Sequence, residues 1–132
     1  MSGPESNFSA WLRKADHDLL NIENNLAAKE IPWDTVCFHA QQAVEKVLKA
    51  FLISHGRGLS NTHDLVALLA QCAECDASLA GLESDCRKLT SYGVSARYPD
   101  DLFEPDEADG REVVAAAHRV RTKILALLLR DR

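Results

Sequence analysis

Residues 39–52, HAQQAVEKVLKAFL, carry two distinct stripes when wound as an α-helix. At about 100° per residue, Val36, Ala40, Ala43, Val44, Val47 and Phe51 gather on one side. His39, Gln42, Lys46 and Lys49 gather on another, within an arc of about 80° by the same geometry. The apolar stripe is what a helix in a bundle must bury. The polar stripe mixes an imidazole, an amide and two ammonium groups. It reads either as a solvated face or as a face that meets a ligand or partner.

Outward from this helix the chain predicts more helices and no convincing strand. A first helix is expected over 7–29, where Phe8, Trp11, Leu12, Ala15, Leu19, Ile22 and Leu26 recur at helical spacing. It must stop before Pro32, because the residue preceding a proline is pushed out of the α region. The second helix begins at 32–35, with Asp34 or Thr35 as candidate cap, and ends at the Gly56-Arg57-Gly58 turn. Asn61 or Thr62 is the expected cap of a third helix over 63–73, and a fourth is expected over 78–92. Residues 93–105 read as an irregular acidic loop around Pro99, followed by a last helix over 106–129. With no repeat and no interdomain linker, the chain reads as a tail at 1–6, expected to be disordered, and one domain over 7–132. The fold class is all-α, an antiparallel bundle of four to five helices.

At 132 residues such a domain buries a real core without a metal or disulfide. No apolar run approaches the roughly 20 residues that span a membrane, and the start MSGPESNFSAW lacks a basic-then-apolar signal pattern. A cytoplasmic protein with no membrane contact is therefore expected, its four cysteines reduced. The net charge of −5 argues against a general nucleic-acid binder. Its distribution is uneven: residues 99–110 hold six acids and no base, whereas residues 111–132 hold six Lys or Arg against two acids. That basic last helix reads as a local RNA contact or as charges arranged for helix stability.

Cys72 and Cys75 have the spacing of half a zinc site, and Cys86 adds a third thiol. A second pair at matching spacing is missing, so small core residues are the expectation and no metal is assigned. His17 reads as a solvated imidazole. His63 reads as a first-turn polar residue or as a second imidazole sharing a pocket with His39. In the stretch Tyr92 to Asp100, Arg97 offers paired N–H donors to a phosphate or carboxylate and Tyr98 a stacking surface. Alternatively Arg97 pairs with the acids that follow it and Tyr98 plugs the end of the bundle.

Taken in order, HAQQAVEKVLKAFL, then Thr62-His63-Asp64-Leu65, then Ala96-Arg97-Tyr98-Pro99-Asp100, resembles the HEPN (higher eukaryotes and prokaryotes nucleotide-binding) domain family over nearly the whole chain. The resemblance implies a bundle of four or five helices that forms a homodimer. Many such domains resemble ribonucleases of toxin–antitoxin or defence systems, often encoded with a small nucleotidyltransferase. Others are binding modules without known catalysis. The resemblance implies a ligand-binding set of His39, Glu45, Lys46, Lys49, His63, Arg97 and Tyr98, either a site or a network fixing the loop onto the bundle.

Nuclease members carry an Arg followed by four to six residues and a His. After Arg97 those positions are Leu102, Phe103 and Glu104, and none is a His. Arg111 and His118 do have six residues between them, and share a helix face roughly opposite Val113, Val120 and Ile124. The acids upstream would repel a phosphodiester unless they point away. The expectation is therefore a non-catalytic binding or regulatory module without a cofactor, partnering a nucleotidyltransferase and holding a nucleotide near Lys46, Lys49 and Arg97. The alternative is a metal-independent RNA endonuclease using Arg111 and His118 across a dimer. Trp11 and Trp33, if exposed, would mark the subunit interface.

Overall fold

The protein, seen in a computed structural model, is described for residues 4–95 and 105–130, with side chains over 8–92 and 105–130. Helix α1 spans Pro4–Leu26, α2 Trp33–Ser54, α3 Leu65–Cys75, α4 Glu83–Ser95 and α5 Glu107–Arg130. A 3₁₀ segment, Ala77–Leu82, precedes α4, and no strand occurs among the described residues. All-α architecture is what the apolar periodicity predicted.

Helix α2 is the hub: α1, α3, α4 and α5 all pack on it. Its apolar stripe of Val36, Ala40, Ala43, Val44, Val47 and Phe51 is fully or almost fully buried. The facing helices contribute Ile22 from α1, Leu65 and Leu68 from α3, Leu89 from α4, and Val113, Val120 and Ile124 from α5. Burying each such side chain contributes about 1.5–3 kcal/mol.

The element ends correct several sequence expectations. Helix α1 starts at Pro4 rather than at residue 7 and ends at Leu26 rather than at residue 29. Neither Asp34 nor Thr35 caps α2; its N-cap is Pro32, without a side-chain bond, while Thr35 Oγ1 donates to the Pro32 carbonyl at 3.0 Å. The far end closes as expected at Gly56, whose φ of +71° suits glycine. There the Gly56 and Arg57 amides donate to the carbonyls of Ile53 and Leu52, both at 2.9 Å, satisfying carbonyls the helix leaves open.

Asp64, not Asn61 or Thr62, caps α3; its Oδ1 accepts from the amides of Val66 and Ala67. Thr62 supports it one step back, its hydroxyl accepting from the Asp64 amide at 3.0 Å. The helix expected from residue 78 is split, because Asp76 takes the Ser78 amide and hydroxyl and starts a tighter 3₁₀ turn. Helix α5 opens on a reciprocal cap: Asp106 accepts from the Asp109 amide at 2.8 Å, and Asp109 from the Asp106 amide at 3.3 Å.

Candidate functional site

The polar stripe of α2 is neither a solvated face nor an open pocket. Helix α1 runs antiparallel along it and covers it with Asp18 and Trp11. Asp18, with its side chain 12% exposed, accepts from Lys46 Nζ at 2.6 Å and bonds His39 Nδ1 at 3.2 Å. One turn further along α2, Lys49 Nζ stands 5.5 Å from the centroid of the Trp11 ring. A second buried carboxylate, Glu45, takes Lys49 Nζ at 3.0 Å and His63 Nδ1 at 3.1 Å from each of its oxygens. The stripe thus holds two like-built clusters, each one carboxylate, one ammonium and one imidazole.

The chemistry of these clusters follows from the donors. An ionised carboxylate only accepts, so Nδ1 of both imidazoles is the donor in these bonds. Each lysine charge is cancelled at hydrogen-bond distance by a carboxylate on a neighbouring turn or on α1. Lys49 and Glu45 are almost fully buried, at 8% and 6% exposure, so their pairing is what makes that burial tolerable. His63 is the member that faces outward, its side chain 61% exposed. The shared pocket of His39 and His63 is therefore divided between two carboxylates. Arg97 and Tyr98, the remaining members of the expected set, lie outside the described residues.

Asp18 is the residue that the sequence reading left out, and Trp11 entered it only as an apolar-periodicity and interface residue, not as a partner of Lys49. Asp18 and Trp11 lie seven apart on α1, on the row flanking the buried seam of Phe8, Ala15 and Ile22. Seven residues is two helical turns, so the spacing puts both on one face of α1, while only the packing of the two helices shows that this face meets α2. His17 is exposed, as expected.

Arg111 and His118 are both exposed on α5, but they line different depressions. The Arg111 guanidinium lies 5.3 Å over the Trp33 ring, and its Nε donates to Glu107 at 2.8 Å. It borders a cavity of about 180 Å³ with Leu26, Val114 and Ala115. His118 borders an open groove of about 450 Å³ with Arg119, Thr122, Lys123 and Ala126. Neither tryptophan stands clear of the bundle: Trp11 carries Lys49 and Trp33 carries Arg111.

Burial pushes the thiols of Cys37, Cys72 and Cys86 up to about 12, helped at Cys37 by Asp109 and Asp34. Cys75 is only partly buried and accepts from Arg57 Nη1 at 3.4 Å. Among the described residues no group of His, Cys, Asp and Glu side chains is arranged to hold a metal, and no helix is long and apolar enough to cross a membrane.

A central helix clasped by four others, with carboxylate-bound imidazoles along its polar stripe, defines a small all-α bundle module. The model of the HEPN domain matches residues 8–127, and the chain belongs to that family. A comparison with curated proteins gives no match.

Proposed function

We propose that this HEPN domain is a non-catalytic binding and regulatory module. In this reading it acts in the cytoplasm as a homodimer, partnering a nucleotidyltransferase-type protein in a toxin–antitoxin-like or defence pair. The observation that carries the reading is the neutralisation of Lys46 by Asp18 and of Lys49 by Glu45. Residues that the family resemblance marks as a ligand-binding set here tie α1 and the loop before α3 to α2. A nucleotide phosphate at this stripe would have to displace two carboxylates that are already paired, one of them almost fully buried. The missing His after Arg97 and the engagement of Arg111 by Glu107 and Trp33 support the same reading against nuclease chemistry.

The test is affinity purification of the tagged protein from its native host, with expression of the protein alone as the second arm. Co-purification of a nucleotidyltransferase, with intact cellular RNA and unchanged growth on expression, is the expected outcome. Growth arrest with RNA cleavage, relieved by His118→Ala, would overturn it in favour of the endonuclease.

A further inference from the structure

Three of the four thiols gather around the last turn of α3, away from the polar stripe of α2. Cys72 and Cys75 lie three residues apart on that turn, and Cys86 comes to the cluster from α4. Their surroundings differ. Cys72 is fully buried, and its thiol donates to the Leu48 carbonyl of α2 at 3.5 Å. Cys75 is only partly buried, and its sulfur accepts at 3.4 Å from Nη1 of Arg57, in the turn that follows α2. Glu74 takes Nη2 of the same guanidinium and leaves Nη1 on the sulfur. A thiol within reach of solvent, beside a cation, thus stands one turn from a second thiol sealed in the core.

This arrangement has the two properties of a redox-active pair. The first is a sulfur equipped to react: Arg57 offers donors both to that sulfur and to the oxyanion that leaves when it attacks an oxidant. The second is a partner sulfur within reach. Three residues of helix separate the Cα atoms by about 5 Å, inside the range of about 4.4–6.8 Å that a disulfide spans. The Cβ atoms must close from about 5–6 Å to about 4 Å. Cys75 is the last residue of α3 and Asp76 after it is already extended, so this turn can tighten without bending the helix. Burial holds the Cys72 proton up to about 12, with Cys75 and then Cys86 adding to the effect and Arg57 opposing it. Turning Cys75 into a neutral sulfenic acid removes the larger of those two neighbours. Cys72 therefore becomes the better nucleophile only once Cys75 has reacted.

We propose that Cys75 and Cys72 form a peroxide-responsive dithiol, Cys75 attacking with Arg57 at its sulfur and Cys72 resolving the product. In the first step the Cys75 sulfur attacks the terminal oxygen of a hydroperoxide. An S–O bond forms, the O–O bond breaks, and the alkoxide leaves with the thiol proton as an alcohol, or as water from hydrogen peroxide. Sulfur is oxidised to the sulfenic acid and the peroxide is reduced. The Cys72 sulfur then attacks the Cys75 sulfur; the S–S bond forms, the S–O bond breaks, and hydroxide departs with the Cys72 proton as water. Two equivalents of a small thiol reverse the change. The disulfide has no S–H, so the bond from Cys72 to the Leu48 carbonyl is lost and the end of α3 is released from α2. The pair is separate from the α2 clusters and does not rest on the partner assigned above.

The test treats the purified full-length protein with hydrogen peroxide, blocks the remaining thiols and maps the products. Glu-specific cleavage cuts after Glu74 and Glu83, which puts Cys72, Cys75 and Cys86 on three separate peptides. Loss of two of the four thiols is expected, with a Cys72–Cys75 link that dithiothreitol removes. Cys75→Ser is expected to keep its three remaining thiols. Cys72→Ala, which leaves the core apolar, is expected to accumulate a Cys75 sulfenic acid that dimedone traps; if it does not fold, the peptide map and Cys75→Ser decide. Arg57→Gln is expected to slow thiol loss by about threefold, as for a half-exposed charge contact. A link from Cys75 to Cys86 or to a second chain would overturn the proposal, as would sulfinic acid at Cys75 with Cys72 still free. So would undiminished thiol loss in Cys75→Ser or an unchanged rate in Arg57→Gln.

Discussion

The indole of Trp33 occupies the space that a side chain on Gly110 would need. A Cβ built on Gly110 stands 2.2 Å from Trp33 Cε3 and 2.8 Å from Cζ3, well inside van der Waals contact. The first turn of α5 can approach the first turn of α2 only because residue 110 has no side chain. Gly110→Ala is expected to cost about 1–3 kcal/mol, the overpacking penalty, although Ala is the better helix former. In a Trp33→Ala background the same change should become stabilising by about 0.5–1 kcal/mol, because only the propensity difference remains. Urea unfolding of the four proteins in this cycle measures both effects.

Asp18 joins α1 to two residues of α2, so its removal strands Lys46 and His39 together. Asp18→Ala is expected to destabilise by about 1–2 kcal/mol, discounted from the fully buried case because Lys46 keeps 25% of its exposure. Glu83→Ala, which breaks only the exposed pair with Arg87, is expected to cost at most about 0.5 kcal/mol. Chemical denaturation of both variants checks the ranking.

Glu45 is the only carboxylate that reaches the buried ammonium of Lys49 among the described residues. Glu45→Gln would leave that charge on the Trp11 ring without a counter-ion, and about 2–3 kcal/mol of stability should go with it. Adding Lys49→Met removes the stranded charge while keeping the aliphatic stem. The double variant is expected to recover to within about 1 kcal/mol of the parent. Additive losses in the double variant would contradict the pairing.

Buried thiols make stability fall in alkali. Cys37, Cys72 and Cys86 hold their protons up to about 12 when folded, against an ordinary thiol value of 9.0. Below pH 9 both states are protonated and pH has no effect through these groups. Between pH 9 and 12 only the unfolded chain releases the protons, so the folded state loses stability as pH rises. Denaturant midpoints from pH 8 to 10.5 should drop less in Cys37→Ala than in the parent. Ellman's reagent at pH 8 should find Cys75 first and the other three only on unfolding.

The hub helix was legible because its apolar stripe is a local property: Val36 to Phe51 recur at the helical period whatever surrounds them. Chain breaks at Pro32 and Gly56 were legible for the same reason, since one residue's backbone preferences decide them. Asp18 was not, because a carboxylate flanked by Asp16 and His17 looks solvated until α2 is laid against it. The split before α4 was also hidden, since Asp76 competes with the helix through its own side chain. Whether His39, Lys46, Lys49 and His63 form a site or a scaffold depended on which acids came to meet them. One of those acids, Glu45, was visible within the motif; the other, Asp18, came from a different helix.

Helix α1 rests on α2 and barely touches the rest of the bundle, with Arg121 to Asp16 as its tie to α5. Its fully enclosed seam is narrow, and beside it Trp11, Leu12, Leu19 and Leu26 are only partly buried while Asp16 and Asp18 add polar ties. Opening would therefore proceed as a peel: α1 lifts as one cooperative unit while α2 to α5 stay folded. Amide protons along α1 should exchange with solvent at a lower free energy than those of α2, and Asp18→Ala should widen that gap. A partner that prised α1 away would find beneath it a ready-made trough with Lys46, Lys49 and both imidazoles released.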